Sequence, residues 1–146
     1  MKKMILASAI ALGCVGFGAA QAQAPVADVV AVRQASMGLL SGTFAALRAA
    51  VANKTEPKGF AGAGGAISNF GKVIPGLFPQ GSGANTKALP AIWTDWAAFQ
   101  KAAADMSAVG EQVKAAAAAN DPAMLAAAVE ALGKACGGCH TPFRGR

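Results

Sequence analysis

Five residues near the C-terminus, Cys136-Gly137-Gly138-Cys139-His140, carry the clearest chemistry in the chain. Two thiols separated by two residues and followed at once by an imidazole match the attachment signature of c-type haem. The thiols must reach the two vinyl groups on one porphyrin edge and form thioethers, and the imidazole must reach the iron from one side. Residues three and four apart on a helix are surface neighbours, so Cys136, Cys139 and His140 present together. Gly137 and Gly138 carry no side chains and leave room for the macrocycle edge near the backbone. The expected cofactor is one covalently bound haem c per chain, held through Cys136 and Cys139, with His140 as an iron ligand.

Other chemistries use the same residue types. A thioredoxin-like pair sits at a strand-to-helix turn, and nothing upstream reads as a strand. A zinc site needs four ligands; the remaining cysteine, Cys14, lies in the N-terminal segment, and His140 is the single histidine. A disulfide between Cys136 and Cys139 would close too small a loop to stabilise much.

The elements that must position these groups begin with a leader. Met1, Lys2 and Lys3 precede an uncharged run from Met4 to Ala20 and small residues around Ala20-Gln21-Ala22, the pattern of a secretory signal peptide over 1–22. The run is near the lower limit for a bilayer span, which keeps an uncleaved anchor as the alternative. Ala11-Leu12-Gly13-Cys14 resembles a lipidation site only weakly, with leucine one place off. Export to the periplasm suits the motif, because the two thiols must meet a dedicated haem-attachment machinery in a compartment that otherwise oxidises them.

Removing 22 residues leaves 124, enough for one domain (23–146) with a real core, carrying 11 basic and 7 acidic residues and a formal charge of +4. The cations are scattered singly, which argues against a nucleic-acid partner. Abundant alanine and no tyrosine favour helix. The first helix shows Val26, Val30, Met37, Leu40, Phe44, Leu47 and Val51 at helical spacing. Arg33 falls on that stripe, either snorkelling from the helix end or partnering a haem propionate. Gly38, Gly42 and Ala45 form a small-residue face suited to internal packing or to a homodimer contact.

Asn53–Lys58, with Pro57, breaks this helix. A second runs from about Gly59 to Ile74, weakened by Gly62, Gly64, Gly65 and Gly71 at up to ~1 kcal/mol each. After a loop from Pro75 to Pro90, a third continuous helix runs towards Ala119 along Ile92, Trp96, Phe99, Ala103, Met106, Gly110 and Val113. Asn120-Asp121-Pro122 supplies a break, a cap and a proline at the first helical position. The fourth carries Leu125, Val129, Leu132, Cys136, Cys139 and Phe143 on one stripe, and Pro142 bends or ends it just after the histidine.

These elements predict an all-α, up-down-up-down four-helix bundle with the haem near the end of helix four. That topology surrounds the haem with Arg33, Met37, Ile74, Phe78, Trp93 and Trp96. A second histidine ligand is impossible, so methionine is the natural sixth ligand. Met124 precedes His140 by 16 residues, about 24 Å along a helix. Met106 falls towards the far end of the bundle. Met37 is at haem height, as an iron ligand or as an adaptable filler over the distal face.

The mature chain resembles the cytochrome c prime family, four-helix c-type cytochromes that include low-spin relatives. Arg33-Gln34-x-x-Met37, Leu77-Phe78-Pro79, Ala91-Ile92-Trp93 with Phe99, and Cys136-x-x-Cys139-His140-x-x-Phe143-Arg144 carry the resemblance. It implies a proximal His140, a distal side chain at Met37, Arg33 near a propionate, and Arg144 as the basic residue close to the proximal histidine. The glycine-rich second helix departs from the family pattern. Two functions follow as expectations: an electron carrier with a redox partner protein if Met37 binds iron, or a five-coordinate protein binding nitric oxide or carbon monoxide if it only lines the pocket. A thiol–disulfide enzyme is a third, weaker reading, and no acid–base pair supports metabolic catalysis.

Overall fold

The computed structural model describes residues 25–146, so the leader expected over 1–22, its cleavage site and Cys14 lie outside the described residues. The helices are α1 (Val26–Ala52), α2 (Ala61–Val73), the short α3 (Ala91–Thr94), α4 (Trp96–Ala119) and α5 (Pro122–Phe143). Single 3₁₀ turns at Pro57–Phe60 and Ile74–Leu77 flank α2. α1, α2, α4 and α5 form the expected four-helix bundle: α2 lies along α4, α4 along α5, and α1 against α5 and the Ile74–Leu77 turn.

Local chemistry sets the ends of these helices. Asp28 stands in the first turn of α1, where the helix dipole favours a carboxylate. At its other end Lys54 adopts a left-handed backbone (φ 53°). Its N–H then reaches Val51 O and the N–H of Thr55 reaches Ala50 O, closing the last turn. The α4–α5 corner repeats the device with Asn120 (φ 48°), whose N–H donates to Ala117 O while that of Asp121 donates to Ala116 O. Asp121 then caps α5, its Oδ1 accepting from the N–H groups of Ala123 and Met124, and Pro122 opens the helix.

Three features differ from the sequence expectation. The third helix is interrupted at Asp95 (φ −125°, ψ 60°), which ends α3 and caps α4 by accepting from Ala98 N–H at 3.2 Å. Side-chain capping at an aspartate wins over the continuous periodicity around it. Val26, on the expected core stripe, is the first residue of α1 and is 45% exposed. Pro142 lies inside α5, which continues one residue past it because a proline in the last turn forfeits a single backbone bond.

The glycines of α2 do opposite things. A Cβ on Gly64 would lie 2.5 Å from Lys114 N, and one on Gly71 2.7 Å from Ser107 N. Across the contact, a Cβ on Gly110 would meet Ser68 N at 2.3 Å. These three positions let two helix backbones touch, and the buried Ser68 and Ser107 hydroxyls pair at 3.2 Å between them. Gly62 and Gly65 face open space and only weaken the helix. The core along this seam and its neighbours is Leu47, Ile67, Ile92, Phe99, Val113, Leu125 and Leu132, each at most 2% exposed.

Candidate functional site

The C-terminal half of α5 forms one wall of a cavity of about 590 Å³, reached by Cys136, Cys139, His140 and Phe143. α1 supplies the facing wall with Arg33, Met37, Leu40 and Phe44, while Phe78, Ile92, Phe99 and Met106 close the interior. The volume is in the ~300–1,000 Å³ range of cofactor sites, and the lining is mostly apolar, as such sites are.

Both thiols are free and half-buried. Burial raises the pKa of each, with mutual repulsion adding at Cys139, so both stay protonated. His140 stands at the exposed edge of the cavity. Its partial desolvation first, and the Arg144 charge second, lower its pKa and favour the neutral imidazole, the form with a free lone pair for a metal. Two thiols and a neutral imidazole from one helical turn therefore open into a single apolar space. That donor set and volume fit a covalently tethered haem. Gly137 and Gly138 are exposed, and a Cβ on either would meet nothing within 4 Å, so no protein contact requires glycine there.

Arg33 is 4% exposed, so the expectation that it snorkels is set aside. Its Nη1 donates to Leu77 O and Ser82 Oγ, both at 3.1 Å, and its Nη2 to Ser82 O at 2.8 Å. The guanidinium lies 4.2 Å from the Phe78 ring centroid. Among the described residues no carboxylate pairs with it, and desolvation lowers its pKa. A buried cation held by carbonyls and an aromatic face pins the loop after α2 and leaves positive potential on the cavity wall.

Trp93 and Trp96 pack against the core beside the cavity and do not line it. The Trp93 indole donates to Phe78 O at 2.9 Å and packs over Gly83, where a Cβ would lie 2.8 Å from the ring. Ile92, the first residue of the expected stripe, lines the cavity. Phe99 is the hub, edge-on to Phe78 at 4.8 Å and to Phe143 at 5.3 Å.

Met37 is half-buried and lines the cavity, as expected from its height on α1. Met106, set aside at the far end, also lines it and is 6% exposed. Ten residues from Trp96 is about 15 Å of rise, but the cavity runs that far down the bundle; the stripe Phe99–Ala103–Met106 was the available signal. Met124 is 43% exposed at the start of α5. Arg144 leaves α5 in extended conformation, its N–H on His140 O. Lys87, which sequence reasoning did not single out, lines the rim beside it.

The family model described as Cytochrome C' matches residues 28–144. The chain is 33% identical over 147 residues to a cytochrome c-556 of Agrobacterium fabrum, covering 99% of this chain and 97% of the relative. It is 33% identical over 121 residues to a cytochrome c prime of Rubrivivax gelatinosus, covering 80% and 94% respectively. The crystal structure of cytochrome c prime from Rubrivivax gelatinosus superposes with a TM-score of 0.73 at 31% identity, covering 82% of this chain and 97% of that one. The matched span starts in α1 and ends just past α5, taking in the whole bundle and its cavity: the chain belongs to the cytochrome c prime family and is a c-type cytochrome with one covalently bound haem c.

Proposed function

We propose that the protein is a periplasmic electron carrier whose haem is tethered through Cys136 and Cys139 and ligated by His140 and Met37. The observation that carries this reading is the cavity itself, where the half-buried thiols and His140 on α5 face a wall of α1 that presents the Met37 thioether. Haem held by these residues would supply a one-electron iron centre. The chain supplies the ligands and the field around it. His140 is held neutral. Arg33, with no carboxylate partner among the described residues, would hold a haem propionate at the α1 wall. Arg144 adds a second positive charge beside the histidine, where a helix C-terminus also favours a cation. Residues 1–22 act as the export leader, cleaved after Ala22, and deliver 23–146 to the haem-attachment machinery.

The apolar wall of Leu40, Phe44, Ile92 and Phe99 favours a second reading, a five-coordinate iron that takes up nitric oxide or carbon monoxide with Met37 as a packing residue. Optical and EPR spin states, with and without carbon monoxide, separate the two. The expected result is a low-spin iron that resists the gas and becomes high-spin and gas-binding in Met37→Ala. Conversion by Met106→Ala instead would move the sixth ligand to α4. A high-spin parent that binds the gas would overturn the carrier.

A second copy of the chain is the partner proposed for α1. The most apolar 18 residues of this helix have a mean hydropathy of 1.3, yet only 11% of them are buried. Val32 (53% exposed) and Leu39 (75%) stand on an outward face with Ala35, Gly42, Ala46 and Ala49, at the three-and-four spacing of a helix-pairing seam. A Cβ on Gly42 would meet nothing within 4 Å, and Gly38 beside it borders the cavity. Leu39→Lys is expected to turn a dimer into a monomer by sedimentation at micromolar concentration; a parent that sediments as a monomer would remove the proposal.

A further inference from the structure

The sequence scatters its cations, but the fold gathers two of them. The tail after α5 pairs with the loop before α3: Leu89 N–H donates to Phe143 O at 3.0 Å and Gly145 N–H to Lys87 O at 2.8 Å, with an antiparallel bridge between Ala88 and Arg144. This brings Lys87 and Arg144 to the same stretch of cavity rim, both exposed and both lining it beside His140. Elsewhere Lys58, Lys101, Lys114 and Lys134 each have a carboxylate within 3.5 Å, while Lys54, Lys72, Arg48 and Arg146, away from the cavity, have none among the described residues. Lys87 and Arg144 have none among the described residues, and the cavity lining contains no aspartate or glutamate. Backbone hydrogen bonds therefore fix two exposed cations along one rim of the cavity, with no carboxylate of the described residues paired to either. Exposed cations at the mouth of the site meet any anionic molecule that approaches it.

We propose that Lys87 and Arg144, clamped at the rim by the tail–loop bridge, form the docking surface for a redox partner protein with an acidic face. This rests on the carrier reading, since the patch borders the place where an electron would enter. Unpaired surface cations raise the local concentration of an anionic partner and steer its approach, by about 10- to 10³-fold in rate, and salt removes the effect.

The test uses the holoprotein and small reagents. One electron passes from Fe(II)–EDTA, an anion, or from hexaammineruthenium(II), a cation, to the oxidised iron, and the rate is followed between about 0.01 and 0.15 M salt, where the screening length falls from roughly 30 to 8 Å. Reduction by Fe(II)–EDTA is expected to slow with salt and to be inhibited by polyglutamate. Lys87→Glu should slow it about tenfold at low salt, abolish inhibition by polyglutamate, and speed the ruthenium reaction. Lys58→Glu makes the same change in net charge, but from the turn before α2, which bonds the α4–α5 corner at the opposite end of the bundle from His140. It should alter each rate less than twofold. Equal effects of the two variants would overturn the docking surface. So would a Lys87→Glu protein with a displaced midpoint potential and an unchanged salt slope, which would assign Lys87 to the haem cradle. Failure of the carrier reading registers separately, as carbon monoxide uptake by a high-spin parent.

Discussion

Gly110→Ala is expected to destabilise the bundle by about 2 kcal/mol or more. The added methyl would lie 2.3 Å from Ser68 N, 2.7 Å from Ser68 Cα and 2.8 Å from Gly64 O. All three are backbone atoms of α2, so no side chain can swing away, and α2 and α4 must separate along their whole seam. Overpacking of this kind costs roughly 3 kcal/mol, and the gain of about 1 kcal/mol from replacing a helical glycine offsets only part of it. The change should lower the melting temperature by about 8 °C for a domain of this size. Gly65→Ala, next to Gly64 on α2 but turned away from α4, meets nothing within 4 Å. It should raise stability by up to ~1 kcal/mol. Opposite signs at a glycine inside the α2–α4 contact and one beside it that faces open space, measured by thermal or urea unfolding of the holoprotein, check the geometry; a neutral Gly110→Ala would contradict it.

These glycines mark the boundary of what the sequence could reveal. Apolar periodicity located the helices, and the stripes on α4 and α5 are buried as expected, because a long amphipathic pattern reports a face directly. Periodicity carries no information on how close two helices come, so Gly64 and Gly71 read as defects when they are the condition for contact with α4. Asp95 was hidden for a related reason: its capping bond is local and polar, inside a run whose apolar rhythm continues unbroken. At the site, Cys136, Cys139 and His140 were legible because their chemistry demands fixed spacing on one turn. Arg33 was legible only as an anomaly on an apolar stripe, since its partners, Leu77 and Ser82, lie in a loop with no period. Lys87 gave no signal, because a backbone bridge to the tail, and no feature of its own neighbourhood, brings it to the rim. Met106 was misplaced by treating the haem position as a height, whereas the cavity extends along the bundle.

The Cys136→Ser/Cys139→Ser double variant is expected to lose all haem that survives acid-acetone extraction or a denaturing gel. Serine hydroxyls keep the size and the half-buried position of the thiols but form no thioether, so any haem that enters is held by ligation and packing alone. The consequence for stability is large. An unfilled apolar cavity costs about 24 cal/mol per Å³, so keeping 590 Å³ dry would cost on the order of 14 kcal/mol, comparable with the whole stability of a small domain, about 5–15 kcal/mol. A haem-free chain must therefore collapse or admit water between α1 and α5. α1, with only Arg33, Leu47 and Ala50 fully buried, is the element with the least to hold it. Far-UV circular dichroism should keep most of its helical signal while near-UV signals from Trp93 and Trp96 fade and the thermal transition broadens. Each single serine variant should retain one thioether, with a shifted pyridine haemochrome band and a sharp transition. His140→Ala should keep extraction-resistant haem while losing the parent spin state, because tethering and ligation are carried by different side chains of the same turn. A double variant that still stains for haem as strongly as the parent, or a His140→Ala protein with an unaltered spectrum, would break the assignment of these three residues.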